Sequence, residues 1–315
     1  MKKVKVFPSS FGKFSNEPEK ILTDAGLKVD KYFKAGMTED ELIEQLQGYD
    51  AAILGLEPMT AKVIDACKDL KVVTRYGVGM DNVDLDAAKR AGVRTYNTPG
   101  ANSNAVADYA FGMILDLARS ISAESAALKG GKVSKYTGYP VYGTTLGIVG
   151  LGAIGKCMAR RAKGFGMRIM AYDLFWDEAF VKEFDVQKAS LAEIYEQADF
   201  ITLHCNLNDE TRNMIGMAEL RQMKKSAFLV NCARGGLVNE DDLNTALREG
   251  IISGAGIDAF CHEPPVGSPL LELNNVVAAP HVAGSSIDSI NNMGIFSAQK
   301  TVAGLEAWEQ EHPNI

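Results

Sequence analysis

Arg234, Glu263 and His281 are the side chains of this sequence best suited to delivering a proton beside a carbonyl group. Each stands in a short loop just after an apolar run. Arg234 lies in Asn231-Cys232-Ala233-Arg234-Gly235-Gly236, Glu263 in Phe260-Cys261-His262-Glu263-Pro264-Pro265, and His281 in Ala279-Pro280-His281-Val282-Ala283-Gly284. Reduction of a 2-keto acid needs an acid for the developing alkoxide, a cation for the carboxylate and a positioned hydride source. A histidine suits the first task because its ordinary pKa lies close to neutral pH. A neighbouring carboxylate favours the imidazolium and keeps the acid charged. An arginine suits the second task, since its planar fork can polarise a carbonyl and grip a carboxylate.

The hydride source is announced upstream. Gly147-Ile148-Val149-Gly150-Leu151-Gly152-Ala153-Ile154-Gly155 is an apolar strand running into G-x-G-x-x-G, followed by helix-competent Lys156 to Arg160. Gly150 permits the tight turn, Gly152 lets backbone approach a pyrophosphate, and Gly155 lets helix and strand pack closely. The phosphates then sit on the helix N-terminus at Ala153 and Ile154, where free N–H groups and the helix dipole favour anions. The next strand, Arg168 to Tyr172, ends in Asp173, about twenty residues on, where an acid binds the adenosine ribose hydroxyls. Asp173 repels a 2′-phosphate, and Leu174-Phe175 supply no arginine to receive one, so NAD is expected rather than NADP.

Elements of two periods must hold these loops. Short apolar runs alternate with longer helix-like segments throughout, the pattern of parallel sheets covered by helices, so an α/β fold is expected. One set of strands is predicted at Val4–Phe7, Ala51–Leu54, Val72–Arg75 and Val93–Tyr96. A second is predicted at Leu146–Val149, Arg168–Tyr172, Phe200–His204, Ala227–Asn231, Gly254–Asp258 and Val276–Ala279. Between the sets, Asn97-Thr98-Pro99-Gly100 reads as a turn, and Asn102, Ser103 and Asn104 as candidate N-caps of a helix running from Ala105 toward Arg119. Too little chain follows the last strand for a third domain, so the tail is expected to pack back on the first, making it discontinuous.

The 315 residues are 46% hydrophobic and 23% charged, enough for two packed domains, and the formal net charge of -7 argues against binding nucleic acid or anionic lipid. The cysteines, Cys67, Cys157, Cys205, Cys232 and Cys261, are odd in number and form no C-x-x-C pair, so neither a disulfide framework nor a metal site is expected. The N-terminus does not read as a signal peptide. No stretch approaches the roughly 18 to 20 apolar residues of a membrane span, and a cytoplasmic location is the expectation.

The segments Arg75-Tyr76-Gly77-Val78-Gly79-Met80-Asp81-Asn82-Val83-Asp84, Gly150 to Gly155, Asn231 to Gly236, Glu263-Pro264-Pro265 and Pro280-His281 together resemble the D-isomer-specific 2-hydroxyacid dehydrogenase family, most closely its 3-phosphoglycerate dehydrogenase branch. The resemblance covers nearly the whole chain. It implies two Rossmann-like or flavodoxin-like domains, with an NAD domain at about 99–284 inserted in a substrate domain made of 1–98 and 285–315, and a homodimer built through the NAD domain. It also implies that Arg234, Glu263 and His281 are the catalytic trio, that Asp258 holds the nicotinamide carboxamide, and that Cys232 and Ala233 lie against the cofactor. The loop Arg75, Tyr76, Gly77, Val78 and Gly79 is implied to bind the substrate, with the amides around Val78 and Gly79 holding its carboxylate. A Gly-Val-Gly turn exposes successive N–H groups as an anion nest, which suits that role.

Which acid is reduced rests on fewer residues. Arg75 matches a position that in the phosphoglycerate branch helps hold the distal phosphate, which ranks 3-phosphoglycerate narrowly first, ahead of a hydroxypyruvate- or glyoxylate-like acid. Against it, Leu56-Glu57 stands where that branch carries a basic Arg-Ser pair; the loop Ser9 to Lys13 offers compensating donors or is a plain turn. Asn206 replaces a proline usual in the family. A regulatory domain, with control by serine, is not expected. His204 and His262 read as structural and His312 as a frayed tail residue. A second class of function on the same scaffold, an NAD-sensing binding protein of corepressor type, retains the trio but has little support from an acidic chain. A formate-type dehydrogenase is disfavoured because such enzymes replace the Glu263 partner with a neutral residue.

Overall fold

The computed structural model describes residues 1–133 and 135–312, so the end of the expected tail, 313–315, lies outside the described residues. The chain forms two compact units, Met1–Asn102 with Ser285–Ile315, and Ser103–Gly284. The first crossing thus falls at 102/103, a few residues beyond the boundary near 98/99 that the family resemblance implies.

In the first unit, β1 (Lys3–Val6), β2 (Lys28–Lys31), β3 (Ala51–Leu54), β4 (Val72–Arg75) and β5 (Arg94–Tyr96) form a parallel sheet in the order β2-β1-β3-β4-β5. β3 and the apolar part of β4 are buried, as expected of central strands covered on both faces. One face is covered by the long C-terminal helix Ile287–Glu311, whose Met293, Ala298 and Leu305 join Val4, Ile53 and Val72 in one core. Buried Thr74 and Thr301 satisfy each other across that seam, Oγ1 to Oγ1 at 2.8 Å. Pairing them is essential there, because an unpaired buried hydroxyl costs about 1–3 kcal/mol.

In the second unit, β6 (Thr145–Val149), β7 (Arg168–Tyr172), β8 (Val186–Lys188), β9 (Phe200–Leu203), β10 (Phe228–Asn231), β11 (Gly254–Ile257) and β12 (Val276–Ala278) form a parallel sheet in the order β12-β11-β10-β9-β6-β7-β8. The strand order reverses between β6 and β9, and open α/β sheets place ligands at the carboxyl ends flanking such a switch point. The helix Ser103–Arg119 buries Val106, Ala107, Ala110, Phe111, Met113 and Ile114, a helical stripe against the sheet.

β2 and β8 have no counterpart in the predicted strands. Both lie at sheet edges, and three of the four residues of Lys28-Val29-Asp30-Lys31 are charged, so neither carries the apolar run that marks a central strand. The helix begins at Ser103 rather than Ala105, and Oδ1 of Asn102 is buried without a hydrogen-bond partner, so Asn102 is not its side-chain cap. His312 is not frayed: its ring stacks on Trp308 at 4.1 Å and its Nδ1 lies 2.9 Å from the Trp308 carbonyl.

Candidate active site

The glycine loop connects β6 to the helix Ala153–Gly164. Gly150 has φ +96°, and a Cβ there would stand 2.7–2.8 Å from the backbone of His204 and Cys205 at the end of β9. A Cβ on Gly155 would stand 2.1 Å from the Gly150 carbonyl oxygen. The helix therefore starts flush against the strand end, at the switch point. Gly152 is its N-cap and supplies no side-chain cap, and a Cβ at Gly152 would point into open space. An uncapped N-terminus of a 12-residue helix facing open space suits a pyrophosphate. The carboxylate of Asp173, just beyond β7, accepts from the amides of Leu151 at 2.5 Å and Phe175 at 2.9 Å. The acid is thereby fixed to the glycine loop, and each oxygen keeps a further lone pair for a ribose hydroxyl. Leu174 and Phe175 beside it are exposed and apolar. These residues fit a dinucleotide.

His281 and Glu263 meet. Both carboxylate oxygens of Glu263 lie 2.9 Å from Nδ1 of His281, and both side chains are about one-third exposed. That contact assigns the proton on Nδ1 to face the carboxylate and leaves Nε2 as the outward nitrogen. Oε1 of Glu263 also accepts from the amide of Phe260 at 3.2 Å, so the acid is held by its own loop. His281 has φ +56°, a left-handed backbone uncommon for a non-glycine residue.

Arg234 follows β10. The side chain of Asn231 braces its loop, donating to the Arg234 carbonyl at 2.8 Å and accepting from the Ala233 amide at 3.1 Å. A Cβ on Gly235 would stand 2.1 Å from the Phe260 carbonyl oxygen, so the Arg234 loop lies directly against the loop that carries Glu263. Nη1 of Arg234 donates to the Ala233 carbonyl at 2.8 Å.

Several expected site residues take other positions. Asp258 is fully buried, and its two carboxylate oxygens accept from the amides of Val282 at 2.8 Å and Ala283 at 2.9 Å, so it serves the His281 loop. Cys232 is buried with its Sγ 3.7 Å from the Met113 sulfur, burial pushes its thiol pKa up, and the Ala233 methyl belongs to the core, so neither side chain offers a polar face to a cofactor. Tyr76 likewise turns inward: its hydroxyl donates to the Ile290 carbonyl at 2.7 Å. Arg75 folds back over Gly77 and donates to the Tyr76 carbonyl. Glu57 sits in the loop after β3, where its carboxylate accepts from the Gly55 amide at 2.6 Å. The Ser9–Lys13 loop is a tight turn, with Phe11 donating to Pro8 and Lys13 to Ser10, both at 3.1 Å.

His204 is a residue whose environment the sequence did not disclose. Burial holds its pKa down at about 3, Nε2 lies 2.9 Å from Oγ1 of Thr202, and Nδ1 is buried without a hydrogen-bond partner. Asn97, which the sequence marks only as part of a turn, donates its Nδ2 to the Val78 carbonyl at 2.6 Å.

Residues 111–283 match the family model described as D-isomer specific 2-hydroxyacid dehydrogenase, NAD binding domain. A glyoxylate reductase of Korarchaeum cryptofilum is 41% identical over 291 residues, covering 88% of each chain. A D-3-phosphoglycerate dehydrogenase of Methanocaldococcus jannaschii is 39% identical over 285 residues, covering 89% of this chain and 54% of that one, so the present chain spans about half the length of that relative. A solved structure from Thermus thermophilus superposes with a TM-score of 0.89 at 33% identity, covering 97% of both chains. With the glycine loop, Asp173 and the histidine–glutamate pair all in a matching domain, the chain belongs to the D-isomer-specific 2-hydroxyacid dehydrogenases, NAD-dependent oxidoreductases.

Proposed function

We propose that this chain reduces a small, unphosphorylated 2-keto acid of the glyoxylate or hydroxypyruvate type to its D-2-hydroxy acid. The observation that carries the reading is the contact of Nδ1 of His281 with both carboxylate oxygens of Glu263. NADH, when bound at the glycine loop, supplies the hydride to C2. His281 donates the proton on Nε2 to the carbonyl oxygen as it becomes an alkoxide, and the ring regains a proton from solvent after each turnover. Glu263 holds the ring in orientation, while Arg234 grips the substrate carboxylate and polarises the carbonyl.

Two features of the first unit support an unphosphorylated substrate. Glu57 brings a negative charge to the end of β3, the strand beside β4 and its substrate loop. Arg75 spends one donor on its own backbone. Arg75 also supports the second reading, phosphohydroxypyruvate, because it remains a cation at the end of β4.

Following NADH absorbance against glyoxylate, hydroxypyruvate, phosphohydroxypyruvate, pyruvate, 2-ketoisocaproate and sulfopyruvate tests both. A kcat/KM at least tenfold higher for glyoxylate or hydroxypyruvate than for phosphohydroxypyruvate supports the first, and the reverse order overturns it. Tight NADH binding with no turnover on any acid points instead to an NAD-sensing binding protein.

The chain is also proposed to form a homodimer through its NAD domain. The helix Ile121–Lys129 buries none of its residues, and Ile121, Leu128, Val133, Tyr136 and Tyr142 on and after it are exposed. An apolar run of that kind marks an association surface. A monomer by sedimentation at micromolar concentration would refute this. The unpaired cysteine thiols support a reducing compartment such as the cytoplasm, and among the described residues no helix is long and apolar enough to cross a membrane.

A further inference from the structure

The segment by which the chain leaves the first unit, Tyr96 to Asn102, is fastened to the Gly77-Val78-Gly79 loop. The Thr98 amide donates to the Gly77 carbonyl at 2.9 Å, and Nδ2 of Asn97 donates to the Val78 carbonyl at 2.6 Å. In a planar trans peptide the carbonyl and the following N–H point in opposite directions. Fixing the carbonyls of Gly77 and Val78 on the 97–98 side therefore turns the N–H groups of Val78 and Gly79 to the other side, next to each other. The Gly77 amide is already given to the Arg75 carbonyl at 3.0 Å, and the Tyr76 amide to the Leu54 carbonyl at 2.8 Å. The amides of Val78 and Gly79 donate to no partner among the described residues. Two adjacent unpaired amides with a common direction form an anion-binding concavity.

Of the two restraints, the one from Thr98 is main chain and present whatever its side chain. The one on the Val78 peptide comes from a side chain, and a residue without an amide donor at 97 leaves that peptide free to rotate. Rotation would bring the Val78 carbonyl toward the anion and take the Gly79 N–H away from it.

We propose that Asn97 is a positioning residue for the substrate carboxylate, holding the Val78–Gly79 peptide so that its N–H faces the acid. This rests on the reading of the chain as a 2-keto acid reductase. It means that the sequence at the exit of the first unit sets affinity for the acid, with no contact to it.

The test compares the NADH-loaded wild type with Asn97→Ala and Asn97→Ser, using glyoxylate as substrate, oxalate as a non-reducible carboxylate probe, and NADH fluorescence for cofactor affinity. The expected result is a rise of about tenfold or more in the KM for glyoxylate. The inhibition constant of oxalate should rise in parallel, while kcat stays within about threefold and the NADH Kd and the thermal midpoint stay at wild-type values. A merely structural role would move the thermal midpoint or the NADH Kd, and leave KM and oxalate inhibition without a common shift. Variants with unchanged KM and oxalate inhibition overturn the role of Asn97 and leave the reductase reading intact. A wild type that neither reduces glyoxylate nor binds oxalate overturns both.

Discussion

The amide of His281 donates to the carbonyl of Asp258 at 2.9 Å, and the carboxylate of the same aspartate takes the next two amides, Val282 and Ala283. One buried acid thus holds three successive N–H groups and keeps His281 at φ +56°. Left-handed backbone disfavours a non-glycine residue by about 1–2 kcal/mol, so the loop holds this shape only while those bonds persist.

Asp258→Asn retains the shape but turns one acceptor into a donor facing an amide. Bonds to a charged group are worth about 1.5–3 kcal/mol, so kcat should fall roughly 10- to 100-fold as the imidazole loses its position. The NADH Kd, measured by fluorescence titration, should change by less than about threefold. A larger loss in NADH binding than in kcat would return Asp258 to the nicotinamide role that the family resemblance implies.

Removing the proposed acid should separate chemistry from binding. His281→Ala is expected to lower kcat by about 10²–10⁴ or more with NADH affinity unchanged. Glu263→Gln keeps a hydrogen-bond acceptor for Nδ1 without the charge and should lose less. Near-native turnover in His281→Ala, assayed with the best substrate of the panel, would remove the histidine from the mechanism.

The ribose acid should control cofactor choice. Asp173 is anchored by the Leu151 and Phe175 amides, so the negative charge stands in a fixed place rather than on a flexible arm. Asp173→Ser should raise the KM for NADH and lower that for NADPH, changing the ratio of the two kcat/KM values by about tenfold or more, a shift of about 1.4 kcal/mol. An unchanged ratio would mean that Asp173 does not face the 2′ position.

His204 makes stability fall in acid. Its pKa is held down at about 3 in the folded chain against an ordinary 6.5, so the unfolded chain binds the proton first. The contribution is complete above about pH 7. It declines as pH drops through 6.5, and from pH 8 to pH 5 the loss is about 2 kcal/mol, continuing down to the folded value near 3. Urea unfolding at pH 8 and pH 5 should show this slope, reduced in His204→Gln. An identical slope in the variant would show that other groups dominate.

What the sequence disclosed was what rests on local patterning. Central strands such as Ala51–Leu54 and Arg168–Tyr172 are apolar runs between turns, and the glycine spacing before Ala153 follows from the room a helix needs beside a strand. Edge strands such as Lys28–Lys31 escaped because half-covered charged residues leave no apolar signature. At the site, residue types named the chemistry, but not which atoms bind which: the carboxylate of Asp258 and the carboxamide of Asn97 both reach backbone groups of distant loops. Side chain to backbone bonds across about 20 residues have no sequence period to betray them. The side chains of Cys232 and Tyr76 face the core, a direction that motif membership does not disclose.

The helix Ile287–Glu311 closes the core of a sheet whose five strands all end by Tyr96, some two hundred residues earlier. At synthesis rates of about 5–20 residues per second, the apolar face carrying Val4, Ile53 and Val72 waits roughly 10–40 s for its cover, whereas the unit 103–284 is contiguous and completes itself sooner. Of the two units, the one begun first in the sequence is therefore the one completed last.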